Sequence, residues 1–509
     1  MSAPDLNRIT RVGRLVEEAA ERFPEATAIV DGNRRWSWRE LADAVLIVAS
    51  ALVHQEVRPG DRLMIVGENS FELAALYLAA ARGDIWPILT NARLSARELA
   101  QIRDHAQPRC TIYLTETSDD ASAHAATHGA EELELAGLRG LKISALADCH
   151  PERCYEAPEE QVGVLLYTSG TTGAPKGVML SHASLLFVTR EVLSTQAIRE
   201  DDRFYGILPF SHIYSLVWVL LVSCASGACI VLARRFDSKE VLSLLESGAI
   251  TRLQGVPTMF IKILEGLGGR RLESAGLRQI LTGAAPLDLA LKSSIEEAFQ
   301  LPLGNGYGMT EMAPTIATTR FGERRSDTAS GLPLPGVDVR LVAQDGKEVT
   351  LEGVGEIWTR GPGLMLGYYK NAAATSEAIS NGWLKTGDLG LRESDGAIRI
   401  VGRSKDVIIR SGFNVYPEEV EAVLTSHPAV AFAGVVGRRR NSVDEDAIAF
   451  VQLVAGMACS EIELQNYAAA RLTAYKRPNV LVKIDVMPLN ATGKVLKTKL
   501  RDLAAKLPS

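Results

Sequence analysis

Val162-Gly-Val-Leu-Leu-Tyr-Thr-Ser-Gly-Thr-Thr-Gly-Ala-Pro-Lys-Gly177 is the stretch on which the reading of this chain turns. Val162–Leu166 is an apolar run of strand length. From Tyr167 to Gly177 the composition changes abruptly: four hydroxyls (Thr168, Ser169, Thr171, Thr172), the glycines Gly170, Gly173 and Gly177, and Lys176 fall within eleven residues. A loop of this kind can turn backbone N–H groups and hydroxyls onto phosphates while the lysine supplies charge. It is not a Walker A loop, because Pro175 stands where the second glycine is needed and Gly177 replaces the metal-binding Ser or Thr.

The chain on either side of this loop alternates strands and helices. Thr27–Val30 reads as a strand and Asp31-Gly32-Asn33 as a hairpin turn. Ser37 with Glu40 forms a capping box that opens a helix running to about His54. Pro59-Gly60-Asp61 leads into a strand at Leu63–Val66, a helix at Phe71–Ala81 and a strand at Asp84–Leu89. This order predicts parallel sheet layers covered by helices. Residues 116–150 are rich in Ala, Thr and charge and read as a variable surface excursion. The tail has a different rhythm. After Ile398–Val401 comes the polar break Gly402–Asp406, then a strand at Val407–Arg410, a turn at Ser411-Gly412 and a helix begun by Pro417. Strands near Val430–Val436 and Ala447–Val454 follow, and Ser460 with Glu463 suggests a second capping box. The tail thus reads as a separate small α+β unit.

Composition removes several classes of function. With 509 residues, 47% of them hydrophobic, and a net charge of −6, the chain can build a large core and is not disordered. The near-balanced charge argues against nucleic acid as a partner. The uncharged run Ser215–Ala233 approaches membrane-spanning length. Its Ser223, Ser226 and Gly227 split it into a buried helix and a buried strand, so no integral span is expected. The six scattered cysteines suit reduced thiols, with Cys149-His150-Cys154 too sparse for a metal site. No apolar leader precedes Arg8, Arg11 and Arg14, and the expected location is cytoplasmic.

Four further segments follow the loop in order: Gly306-Tyr307-Gly308-Met309-Thr310-Glu311, Lys385-Thr386-Gly387-Asp388, Gly402-Arg403-Ser404-Lys405-Asp406 and Asn490-Ala491-Thr492-Gly493-Lys494. Together they resemble the motifs of the adenylate-forming superfamily, which includes acyl-CoA synthetases, peptide-synthetase adenylation domains and firefly-type luciferases. The resemblance covers almost the whole chain. It implies an α/β protein with a large N-terminal domain of layered sheets (1–402), a hinge (403–406) and a small mobile C-terminal lid (407–509) carrying the catalytic lysine. It also implies ATP, Mg2+ and coenzyme A as cofactor and co-substrates: a carboxylate attacks the α-phosphate to form acyl-AMP, and a thiol then displaces AMP.

Site residues carry over by motif. Thr168, Ser169, Gly170, Thr171, Thr172, Gly173 and Lys176 would hold phosphates. Gly283, Ala284 and Ala285 would pack on adenine through their backbone, and Tyr307 would stack on it. Asp388 would accept the ribose hydroxyls with Arg403 in support, Thr310 would bond the α-phosphate, and Glu311 offers a hard oxygen for magnesium. Lys494 would bridge the two anions as they meet, Lys405 would be the pivot and Gly412 the thiol tunnel. Arg438, Arg439 and Arg440 are a candidate contact for CoA phosphates.

His212, Tyr214, Val217 and Trp218 match the border of the acyl pocket, with His212 gating or orienting the carboxylate. Residues 204–222 contain no acidic side chain, which disfavours an amino acid, because its buried ammonium would lack a partner. The apolar surroundings suit a fatty acyl chain and an aromatic ring equally well; a medium- or long-chain fatty acid is expected narrowly ahead of an aryl acid. Coenzyme A is the expected acceptor, with a separate carrier protein as the alternative. The oligomeric state stays open, a homodimer included.

Overall fold

The computed structural model describes residues 6–168, 175–274, 276–343, 345–349, 353–410, 413–440, 445–489 and 494–507. It is a mixed α/β protein with a large N-terminal domain and a small C-terminal one. The largest sheet has nine strands, in the order Leu332–Pro333, Thr315–Thr318, Leu303–Gly308, Gln279–Gly283, Arg252–Gly255, Arg203–Gly206, Cys229–Leu232, Thr27–Asp31 and Arg34–Ser37. The six strands from Leu303–Gly308 to Thr27–Asp31 run parallel, and antiparallel strands close both edges. A second sheet has five strands, of which Trp86–Asn91, Arg62–Gly67 and Cys110–Leu114 are parallel.

The helix Phe71–Arg82 explains how these layers share a core. Every side chain from Phe71 to Ala81 is buried, glutamate included. A helix apolar on all faces must be covered on all faces. It packs on the helix Trp38–His54 and on the strands Arg62–Gly67 and Trp86–Asn91. Trp38–His54 begins as its sequence requires: the Ser37 and Glu40 side chains and backbones bond reciprocally, at 2.7 and 3.2 Å.

The uncharged run resolves into helical turns over 213–226 and the buried strand Cys229–Leu232. Gly227 ends the helix at φ 83°, and a Cβ there would stand 2.3 Å from the Phe23 ring. Among the described residues no helix is long and apolar enough to cross a membrane.

Two local expectations change. Residues 116–150 are less of an excursion than their composition suggests. They contain the helix Asp119–Thr127, which buries Ala121 and Ala125, and Leu141–Ile143, which extends the second sheet. The second capping box is half formed: Ser460 accepts the Glu463 N–H at 3.1 Å, but the Glu463 carboxylate turns toward His427, 4.0 Å away.

A five-stranded sheet, including Trp383–Arg392 and Ile398–Arg403, leads to a 3-10 turn at Ser404–Asp406. Beyond it lie the hairpin Ile408–Arg410/Phe413–Val415, the helix Pro417–Thr425 with proline in its first turn, and the sheet Val430–Arg439, Glu445–Leu453 and Val480–Lys483.

Candidate active site

Parallel strands bring their carboxyl ends to one edge, and in open α/β sheets ligands bind in the crevice outside that edge. Here those ends are Gly206, Gly255, Gly283 and Gly308. The loops that follow three of them supply a narrow recess lined by Leu208, Pro209, His212, Tyr214, Val256 and Ala284. Ala284 holds a left-handed backbone at φ 64° without being glycine, a strain that folds retain chiefly at functional sites.

His212 sits at the N-cap of the turn Ile213–Ser215, and its Nδ1 accepts the Tyr214 N–H at 3.3 Å. The proton of the neutral ring therefore rests on Nε2. Burial pushes the pKa of His212 down to about 4, so at neutral pH it is an uncharged donor. The chain continues into a π-helical turn at Leu216–Leu221. There Trp218 is buried, its Nε1–H donating to Thr315 Oγ1 at 2.8 Å and its ring edge-on to Tyr214 at 5.8 Å. Val217 packs into the main core.

The nucleotide residues converge from three sheets. Asp388 and Arg403 face each other across neighbouring strands, with Arg403 Nε 3.0 Å from one carboxylate oxygen. Tyr307, at the end of Leu303–Gly308, donates its hydroxyl to the other oxygen at 2.9 Å. The tyrosine expected on adenine thus also fixes the aspartate expected on ribose. Gly387 precedes Asp388 at φ 71°, and its carbonyl accepts the Ser404 hydroxyl at 3.1 Å, which ties the expected hinge segment to the turn expected to hold the ribose.

Thr168 and Lys176 are directly paired on the strands Val162–Thr168 and Lys176–Ser181. They are the two feet of the phosphate loop. Ser169, Gly170, Thr171, Thr172 and Gly173 lie outside the described residues, as does Gly412. Thr310 opens the 3-10 turn that carries the nearly buried Glu311. Glu311 Oε1 accepts the Tyr368 hydroxyl at 2.8 Å, and Lys176 Nζ stands 4.8 Å from the centre of the same tyrosine ring. Burial and the Glu311 charge push the Tyr368 phenol well above its ordinary pKa, so it remains a donor. A carboxylate whose second oxygen takes no hydrogen bond among the described residues, beside the groups expected to bind phosphate, is a donor that suits magnesium. Tyr368 was not legible as a site residue: it is one of two adjacent tyrosines after a glycine, with no spacing to mark it.

Lys494 directly precedes Val495, which pairs with Leu489 in an isolated antiparallel bridge. It stands close enough to Arg403 and Asp388 to feel both charges. Burial, then the Arg403 cation, lower its pKa to about 8. Lys497 lies 3.0 Å from Glu418 and 3.1 Å from Glu421. Burial alone would lower Lys497, but these two carboxylates outweigh it and raise it. In the hinge, burial and then Arg403 lower Lys405, while Asp406 is held by Arg501 at 2.5 Å.

The basic run is partly compensated. Arg438 and Arg440 stand 3.5 and 3.8 Å from Asp446. Elsewhere on the C-terminal domain, His427, Cys459 and Glu463 bring ligand-type atoms within 4.8 Å of one another. However, His427 Nδ1 accepts the Ala429 N–H at 3.2 Å, leaving a proton on the Nε2 that faces the other two. That protonation makes a hydrogen-bonding cluster, not a ligand set.

This geometry agrees with the chain's relatives. The family model for AMP-binding enzymes matches residues 16–369, and the model for the AMP-binding enzyme C-terminal domain matches 419–494. A putative acyl-CoA synthetase, YngI, of Bacillus subtilis is 31% identical over 96% of this chain and 96% of its own length. The 4-coumarate–CoA ligase 5 of Oryza sativa subsp. japonica is 34% identical over 91% of this chain and 88% of its own. Among solved structures, ATP-bound MatB from Rhodopseudomonas palustris superposes with a TM-score of 0.86 at 27% identity, covering 97% of this chain and 99% of that one. The two family models cover most of the chain and these relatives match nearly all of it: the chain belongs to the AMP-binding enzyme family and is an AMP-forming acid–thiol ligase.

Proposed function

We propose that this ligase activates a compact carboxylic acid, an aryl acid before a fatty one, and passes it to coenzyme A. The observation that carries this is the pinned indole of Trp218, bonded to Thr315 behind Tyr214. Trp218 lies next to the recess and is held from both sides. A planar ring laid against Tyr214 and Val256, which line the recess, would leave the indole in place. A medium- or long-chain fatty acid would have to break a buried hydrogen bond, at roughly 1 kcal/mol or more, and displace the indole. The likeness to a protein named 4-coumarate–CoA ligase supports the same choice.

In this reading His212 donates its Nε2–H to one carboxylate oxygen and leaves the other to attack. Because the imidazole is neutral, it orients the anion without lowering its nucleophilicity as a cation would. Asp388, relayed between Tyr307 and Arg403, takes the ribose, and Ala284 lays its backbone against adenine. Lys176 and the hydroxyls of residues 168–172 hold the β- and γ-phosphates. Magnesium bound at Glu311 with ATP would neutralise phosphate charge. Lys494 sits between the carboxylate and the α-phosphate as charge gathers on the phosphoryl oxygens. For the second step, residues 403–406 act as a hinge and the lid beyond 407 rotates about Lys405, withdrawing Lys494 and bringing Gly412 to the thiol path. Arg438–Arg440 assist the CoA phosphates, chiefly through Arg439, since Asp446 engages the other two. The protein works in a reducing, cytoplasmic setting, consistent with its free cysteines.

ATP–pyrophosphate exchange over benzoic, cinnamic and C6 to C16 straight-chain acids tests the reading. Aryl acids should lead for the native enzyme, and Trp218→Ala should shift the optimum toward longer chains. A native preference for dodecanoate or palmitate would overturn it.

A further inference from the structure

We infer that Tyr368 is a positioning residue that couples the metal-binding carboxylate to the phosphate-binding lysine. This rests on the assignment of Glu311 to magnesium and Lys176 to phosphate. Tyr368 touches neither substrate in this reading; it touches the two side chains that do. Its hydroxyl donates to Glu311 Oε1 at 2.8 Å, while its ring lies under Lys176 Nζ at 4.8 Å.

The backbone around Tyr368 makes the same connection. Met365 donates its N–H to the Glu311 carbonyl at 2.9 Å. The next residues, Gly367–Tyr368, pair as a short strand with Lys176–Ser181, and Tyr369 N–H reaches the Gly177 carbonyl at 2.7 Å. Residues 365–369 are therefore a strap with one end on the turn of Glu311 and the other on the strand that closes the phosphate loop. Thr375 Oγ1 accepts the Tyr368 N–H at 2.9 Å and fixes the strap from outside.

The phenol has a specific consequence. With Oε1 occupied, Glu311 cannot rotate freely and presents its other oxygen in one direction. Outer-sphere hydrogen bonds of this kind are worth about tenfold or more in metal affinity. The ring acts separately: a cation held over an aromatic face is stabilised and confined in position. Two substitutions divide the effects. Tyr368→Phe removes the hydroxyl and keeps the ring; Tyr368→Leu removes both.

The test is binding, with α,β-methylene-ATP as the nucleotide and Mn2+ as the metal probe, followed by electron paramagnetic resonance. Nucleotide affinity in EDTA is measured by calorimetry, and thermal melts establish that each variant is folded. Tyr368→Phe should weaken Mn2+ binding to the nucleotide complex about tenfold and leave nucleotide affinity in EDTA unchanged. Tyr368→Leu should weaken both. Glu311→Gln and Lys176→Ala serve as references for the two arms. If Glu311→Gln loses Mn2+ while Tyr368→Phe binds it as the native enzyme does, the coupling role is wrong and the Glu311 assignment stands. If Glu311→Gln itself binds Mn2+ normally, the assignment fails and the inference with it.

Discussion

Lys494 should limit the enzyme at alkaline pH, and the structure supplies the midpoint. Desolvation and the nearby Arg403 cation bring its pKa from 10.5 down to about 8. In the proposed role the ammonium is the active form, because it would bridge two anions, so activity should be present below that value and lost above it. At pH 9 about a tenth of the free enzyme keeps the charge, and kcat/KM for ATP in pyrophosphate exchange should fall about tenfold from its value at pH 7. The limb in kcat should lie higher, since bound ATP and carboxylate add negative charge and restore the proton.

Stability runs the other way. The folded pKa lies below the unfolded one, so between about pH 8 and 10.5 the unfolded chain binds more protons at this site and its contribution to stability rises with pH. An alkaline loss of activity with an unchanged melting temperature therefore points to the site and not to unfolding. Lys494→Arg keeps a charge at every pH in question: it should be slow but lose the limb. If Lys494→Arg retains the same limb, another group is titrating (Lys405 is the next candidate) and the bridging role assigned to Lys494 is refuted.

Two further outcomes follow from the nucleotide residues and the hinge. Tyr307→Phe removes one hydrogen-bond partner of Asp388 and should cost about 1–2 kcal/mol, a five- to thirtyfold loss of AMP affinity by calorimetry, whereas Asp388→Ala should abolish measurable binding. Gly402 holds φ 152° in the pose that places Lys494 by Asp388, and a Cβ there would meet Glu418 Oε2 at 2.6 Å; Gly402→Ala should slow pyrophosphate release more than conversion of supplied acyl-AMP to thioester, while Lys405→Pro, by jamming the pivot, should do the reverse, and parallel losses in both variants would remove the hinge from the mechanism.

Most of this fold could be read from local pattern, and the failures have physical causes. The helix Trp38–His54 and its capping box are local events, decided by four residues in a row, and they stand where the sequence puts them. The run 215–233 was legible because Ser223, Ser226 and Gly227 break it chemically. What composition could not show was the strand Leu141–Ile143: three residues are too short for a period, and pairing with Ile112–Leu114 on one side and Glu131–Glu132 on the other makes them a strand. The capping box at Ser460 failed because His427, distant in sequence, drew the carboxylate away. Site residues divide the same way. Lys494, Asp388 and Glu311 stand in motifs with fixed neighbours, whereas Tyr368 and Thr315 matter through contacts to elements 57 and 97 residues away. Sequence spacing carries no trace of such contacts.

The position of Arg403 makes the proposed domain motion compatible with the proposed nucleotide binding. Arg403 is the last residue of the strand Ile398–Arg403 and directly precedes the turn Ser404–Asp406. Its guanidinium holds Asp388, and the next residue, Ser404, bonds the carbonyl of Gly387. A rotation beginning at residue 405 can therefore leave the ribose clamp intact, because the last fixed contacts lie one and two residues before it. Everything beyond is carried with the C-terminal domain: Asp406 with Arg501, and Lys494 with the Lys497–Glu418–Glu421 cluster behind it. In the proposed rotation Lys494 would leave the α-phosphate while AMP stayed bound by residues on the fixed side of the hinge. That division is what a two-step reaction requires, since the acyl-AMP made in the first step must be kept in place while the lysine that made it gives way to the thiol.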